Sequence, residues 1–139
     1  MEIDPRGPRF AAVITVVVLA VVLITGSAWL LAAQVIVFAV GALAGLKYAP
    51  YGVLYRLVLR PRLGPPAHTE AEAPPRFAQG VGMVFAAAGA ICYAVGATPA
   101  GLVLTALALV AAFLNAAFDL CLGCQVYLFI QNLRVRPSA

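Results

Sequence analysis

Two thiols three residues apart, in the tetrapeptide Cys121-Leu122-Gly123-Cys124, are the strongest chemical signal in this chain. Two intervening residues let the sulfurs meet within one tight turn, so such a pair can cycle between dithiol and disulfide. The first thiol gains reactivity at a helix N-terminus, where exposed amides favour thiolate. Asp119, two residues earlier, provides that setting if it caps a short helix running through Asn132. A helix continuing unbroken from before Asp119 to Asn132 would instead leave both thiols mid-helix and unactivated. Gly123 would make the backbone between them adaptable. An acid at position 119 could also take or give the thiol proton, as general acid–base work demands. A plain cap at a wet interface is the simpler role for Asp119.

Three readings of the pair stand. Thiol redox or sulfur relay is favoured, because Cys-x-x-Cys in a reducing compartment signals redox or metal chemistry. Metal binding needs more than two thiolates, and no further ligand is adjacent, so zinc would require a second protomer or a partner. The third reading is structural: two small, soft side chains filling an interface. Haem attachment in its usual form is excluded, since Gln125 stands where the histidine would be, and no cofactor is expected. Cys92 lies about 25 Å away along the helix axes by rise alone and reads as a core cysteine. His68, alone in a proline-rich stretch, is given no role. Asn115 shares a helical face with Asp119, and Gln34 and Gln79 could bond across helices.

The elements that must position these residues are hydrophobic. Of 139 residues, 64% are apolar and 10% charged, too little charge to cover a water-soluble domain of this size. The natural solvent is lipid. The spans are expected at residues 8–25, 28–46, 77–95 and 100–118, with Thr25-Gly26-Ser27 and Gly96-Ala97-Thr98-Pro99 as tight turns. A cleaved signal peptide competes for the first run, but another apolar run follows without a polar mature segment. All nine Lys and Arg fall before or at the opening of the first span, between the second and third, or after the fourth. Four crossings then place every basic residue, including Arg134 and Arg136, on the cytoplasmic side with both termini. No basic face on a soluble domain exists for nucleic acid.

Between the hairpins, residues 50–60 predict a short interfacial helix. Tyr51, Leu54, Tyr55 and Val58 share one side with the tyrosines at headgroup depth, and Arg56 and Arg60 share another. Residues 63–75 hold four prolines and read as an exposed linker. Pro8-Arg9-Phe10-Ala11 and Pro75-Arg76-Phe77-Ala78 open the two hairpins alike, a hint of duplication or of shared chemistry where each chain meets the headgroups. Small residues at every fourth position (Ala78, Gly82, Ala86, Ala90; Ala108, Ala112, Ala116; Gly41 and Gly45) suit close helix packing in a bundle or a homo-oligomer.

The opening Ile3-Asp4-Pro5-Arg6-Gly7-Pro8-Arg9-Phe10, the hairpins and the tail Cys121-Leu122-Gly123-Cys124-Gln125-Val126-Tyr127-Leu128 resemble a family of small bacterial membrane proteins catalogued as a domain of unknown function. The resemblance covers nearly the whole chain. It implies a bacterial inner-membrane location and, since such proteins are often encoded beside thioredoxin-like proteins and sulfurtransferases, a partner of that kind. Glutamate commonly follows the second cysteine in that family; Gln125 departs from it.

The expectation is therefore an all-α, integral membrane four-helix bundle of two helical hairpins, with a dithiol at its cytoplasmic face. Cys121 would attack, Cys124 would resolve and Asp119 would assist proton transfer. A non-catalytic accessory subunit anchoring a membrane complex is the first alternative. A small transporter for a sulfur species or metal ion is the second, weakened because a compact bundle offers no midplane polar cavity unless a dimer builds the path. The absence of a charged residue mid-bilayer counts against a proton pump or an ion channel with a charged filter.

Overall fold

The computed structural model describes residues 2–135. Arg136, assigned above to the basic tail, lies outside them. Among the described residues the fold is all-α, with seven helices and one two-residue strand pair. Helix α1 spans Arg6–Thr25 and ends at Gly26, whose φ of 67° reverses the chain. Ser27 then caps α2 (Ala28–Ala39), its hydroxyl accepting the Leu30 amide at 3.1 Å. The helix widens into a π turn, Val40–Ala44, and stops at Gly45 (φ 116°). Helices α3 (Pro50–Val58) and α4 (Arg60–Leu63) follow. Helix α5 covers Ala73–Ala94, α6 covers Thr98–Phe118, and α7 covers Leu122–Val135.

Three helices, α1, α5 and α6, are long and apolar enough to cross a membrane. The apolar helix of residues 28–44 is 17 residues long and packs beside them. Helix α5 begins at Ala73, four residues before the expected start. Pro74 and Pro75 are tolerated there because first-turn amides have no intrahelical partner to lose. Large apolar side chains face outward: Trp29 is 88% exposed, Val17 58% and Leu107 52%. Such an exterior suits hydrocarbon and would be costly in water.

The linker is less free than expected. Glu70–Ala71 pairs antiparallel with Glu2–Ile3, so the N-terminus is tied to the stretch just before α5. Helix α3 forms where expected, and its tyrosines turn into the protein. Tyr55 is 2% exposed and donates to Asp4 Oδ2 at 2.9 Å, and Tyr51 donates to Gln34 Oε1 at 2.7 Å. Buried phenols require acceptors, and both are found inside the protein. The outward face of α3 is Leu54, Leu57 and Val58.

Packing crosses between the hairpins, with α1 against α6 and α2 against α5, while α3 lies on α1 and α7 on α5. The shared Pro-Arg-Phe-Ala motif explains part of this plan. Arg9 of α1 donates to the carbonyls of Ala116 (3.2 Å) and Ala117 (3.5 Å) at the end of α6. Arg76 of α5 donates to Ala42 (2.7 Å) and Leu43 (2.9 Å) at the end of the second apolar helix. Each arginine thus satisfies carbonyls that the other hairpin's helix end leaves free, which also favours a cation at that pole of the dipole. The aromatic neighbours repeat too. Phe10–Tyr55 centroids lie 5.9 Å apart at 45°, and Phe77–Tyr127 centroids 5.7 Å apart at 46°. The two motifs thus make parallel contacts in the two halves.

The core gathers Leu19, Val22, Leu31, Phe38 and Ala86. Of the small-residue ladders, Gly82 makes room for the Phe38 ring, which would lie 2.9 Å from an added Cβ. Gly41 packs on Gln79, whereas Gly45 serves the turn through its positive φ.

Candidate functional site

The cysteine pair sits where α6 breaks. The chain leaves α6 through Asp119, the one non-glycine residue with positive φ (55°) among those described. Asp119 N–H donates to the Asn115 carbonyl and Leu120 N–H to the Leu114 carbonyl, each at 3.1 Å, closing the helix end. Aspartate tolerates the left-handed conformation better than most residues. Asp119 is therefore the C-terminal stop of α6, not the N-cap of the next helix, and its side chain is exposed.

The N-cap position falls to Cys121. Its sulfur accepts the Cys124 amide at 3.2 Å, and its carbonyl accepts the Gln125 amide at 3.0 Å. This is the arrangement a capping oxygen normally makes with the third helical residue, here made by sulfur. The two sulfurs are bonded to one another, with Cα atoms 5.1 Å apart. Both residues are partly exposed, and Gln125 is exposed beside them. The break thus gives Cys121 the helix-start setting, although Asp119 does not provide the cap.

Three contacts hold this helix start in place. Arg9 fixes the last carbonyls of α6, as above. Gly123 lies so close to α5 that an added Cβ would sit 2.5 Å from Ala78 Cβ and 2.6 Å from its Cα. Tyr127 stacks on Phe77 and accepts from Gln131 Nε2 at 2.8 Å. Gly123 is there to permit close approach, since its backbone does not need a left-handed φ. Reading the motif alone could not reveal Arg9, Ala78 or Tyr127 as supports of the site; the repeated Pro-Arg-Phe-Ala motif was the available signal.

The structure separates the expected roles of Asp119. Asp119→Gly, which keeps the turn and deletes the carboxylate, should leave thermal stability unchanged or slightly raised. Asp119→Val, by forcing a β-branched residue into a left-handed site, should cost about 1–2 kcal/mol. If Asp119→Gly also leaves thiol exchange rates intact, the carboxylate has no part in proton transfer.

Other expected participants stand apart. Cys92 on α5 is a free, partly buried thiol. His68 lies 3.5 Å from Glu70 at the exposed linker. Among the described residues, no group of three His, Cys, Asp or Glu side chains is placed to hold a metal ion. Sequence reasoning also passed over a polar cluster at the start of α1. Asp4 accepts the Arg6 amide (2.9 Å) and the Arg6 guanidinium (2.9 Å), besides the Tyr55 hydroxyl. Arg6 continues to the Gly64 carbonyl at 2.8 Å. Burial pushes the Asp4 carboxyl pKa up, but hydrogen bonds from Arg6 and Tyr55 and the Arg6 charge outweigh it and hold the carboxyl below its ordinary value of 3.8. An Asp-Pro-Arg sequence just ahead of an apolar run is the helix-start pattern that could have flagged it.

Fold and site together define a class: an all-α, candidate multi-pass membrane protein carrying a Cys-x-x-Cys pair at a helix start. Residues 3–132 match the model of a family described as Domain of unknown function (DUF4395), and the chain belongs to that family. No curated protein and no solved structure matches the chain.

Proposed function

We propose that the protein crosses the bacterial inner membrane four times, with both termini in the cytoplasm, and offers Cys121 and Cys124 to a soluble thiol partner. The helix of residues 28–44 supplies the fourth crossing: 17 residues reach roughly 26 Å, enough when flanking residues or slight bilayer thinning complete the span. The distribution of basic residues supports the orientation. The observation that carries the chemical reading is the Cys121 sulfur at the N-cap, accepting the Cys124 amide, because that amide and the helix dipole stabilise a thiolate.

In the reductive direction, the Cys121 thiolate attacks a partner disulfide, forming a mixed disulfide and releasing one partner thiolate. Cys124, after losing its proton, attacks Cys121 Sγ and expels the second partner thiolate. Two electrons leave the pair, and the partner gains two thiols once its thiolates are protonated. Asp119 accepts the Cys124 proton. The partner is a thioredoxin-like protein, or a sulfurtransferase. In the latter case the Cys121 thiolate takes the outer persulfide sulfur and releases the partner's thiolate, and Cys124 then attacks Cys121 Sγ and expels that sulfur as hydrosulfide.

Thiol trapping in native membranes across redox potential tests this. The pair should titrate reversibly as a two-electron couple and label from the cytoplasmic side only. Cys124→Ser should accumulate a covalent complex with its partner that reductant dissolves, and Cys121→Ser should not. Thiols inert at all potentials, or labelled from the outside, would replace this reading with that of a non-catalytic accessory subunit.

A further inference from the structure

Away from the cysteines, the first turns of α1, the Leu46–Tyr48 turn, α3 and the strand pair enclose a cavity of about 360 Å³, with Gln79 of α5 on its wall. Its charges are uneven. Lys47, Arg56 and Arg60 line it, and its acids are Glu2 and Asp4. Asp4 is matched by Arg6, and Glu2 accepts from Thr69 at 3.1 Å. Three cations therefore face one acid.

Those cations are also short of partners. The Lys47 ammonium lies 5.7 Å from the centroid of the Tyr48 ring and makes no ion pair among the described residues. Arg56 donates one N–H to the Lys47 carbonyl, which leaves the rest of its guanidinium free. The Arg60 side chain makes no hydrogen bond or ion pair with the described residues and is exposed. Three cations gathered on one cavity repel one another unless an anion joins them.

The backbone adds to this bias. Helix α3 opens at Pro50 without a side-chain cap, and Ala49 and Gly52 of its first turn line the same cavity. Unpaired first-turn amides favour negative charge. Gly52 lets the start of α3 pack closely on the Leu46–Tyr48 turn, since a Cβ there would lie 3.3 Å from the Leu46 carbonyl oxygen. Ile3, Pro8, Ala11 and Leu46 give the remaining wall an apolar character. The volume exceeds that of a bare oxyanion, given that a water molecule takes about 30 Å³. It leaves room for an organic part beside a charged one.

We propose that this cavity binds a phosphate-bearing ligand, its oxyanion held by Lys47, Arg56 and Arg60 and its organic portion against the apolar wall. The phosphate belongs either to the headgroup of an anionic lipid or to a soluble phosphate ester.

The full chain, purified in neutral detergent, should show a saturable rise in thermal unfolding temperature with glycerol 3-phosphate that sodium chloride of equal ionic strength does not reproduce. Native mass spectrometry after incubation with phosphatidylglycerol or phosphatidylcholine supplies the second arm. Retention of phosphatidylglycerol alone, competed by glycerol 3-phosphate, identifies a lipid, and stabilisation by glycerol 3-phosphate without lipid retention identifies a soluble ester. Arg60→Ala removes a side chain without protein partners, so folding should be unaffected while affinity falls about tenfold or more, as expected for a lost charged contact. Lys47→Gln should act likewise, and Arg62→Gln, just outside the cavity, should bind as the native protein does. Absence of both effects, or equal binding in Arg60→Ala and Arg62→Gln, would overturn the proposal.

Discussion

Leucine at position 123 is expected to lift the cysteine helix away from α5. An added Cβ already meets Ala78 Cβ at 2.5 Å and its Cα at 2.6 Å, and neither can rotate aside as the tip of a long side chain would. Overpacking typically costs 1–3 kcal/mol, and contact with backbone places this case near 3 kcal/mol. The separation also removes the Phe77–Tyr127 stacking from the same face. Even Gly123→Ala should lower the unfolding temperature and speed alkylation of the reduced thiols. A Gly123→Ala protein with native stability and native labelling rates would show that α7 does not depend on this contact. The same comparison bears on the proposed function, in which a thiol partner would dock against a helix held in one orientation.

Removing the carboxylate of Asp4 should have the second large effect. The Tyr55 hydroxyl, on a side chain 2% exposed, would lose its charged acceptor. A buried donor left unpaired costs about 1–3 kcal/mol, so Asp4→Ala should lose roughly 2 kcal/mol. Tyr55→Phe provides the cross-check. It removes the donor itself, so it should cost less, and the double variant should cost less than the two losses added together. The pH dependence has a definite sign. The folded Asp4 carboxyl is held below 3.8, so the unfolded chain binds the proton more readily. Its contribution is present at neutral pH and above 3.8, and it is lost as the pH falls through the folded value. Acid unfolding followed by circular dichroism should therefore begin at higher pH in the Asp4→Ala protein. Matching acid transitions would show that Asp4 contributes nothing to folding.

Much of the helical layout was legible without coordinates, because lipid-facing helices need long apolar runs and such runs leave a clear trace. The turn at Gly26, the helix of residues 28–44 and the end of α6 at Phe118 fall within a residue or two of where hydropathy and turn chemistry put them. The pair Cys121–Cys124 was equally plain, since it rests on residue type and spacing alone. Helix α5 begins four residues ahead of the span expected at 77–95, because a helix accepts in its first turn two prolines that read as linker in the sequence. The protein partners of the α3 tyrosines, Gln34 and Asp4, are not legible in the sequence, because periodicity shows which residues share a side but not what that side faces.

Composition, charge placement and motif spacing thus determined by themselves that this is an all-α chain with apolar candidate spans and a closely spaced pair of thiols. Only the tertiary structure decided that Arg9 and Arg76 cap each other's hairpins, that Asp4 holds Tyr55, and that Gly123 exists to let α7 touch α5. Hydrophobic periodicity is a local property, with partners three or four residues apart. A carbonyl left free at a helix end must be satisfied by a donor that reaches it in space. For Arg9 and Ala116 that donor lies 107 residues away in sequence.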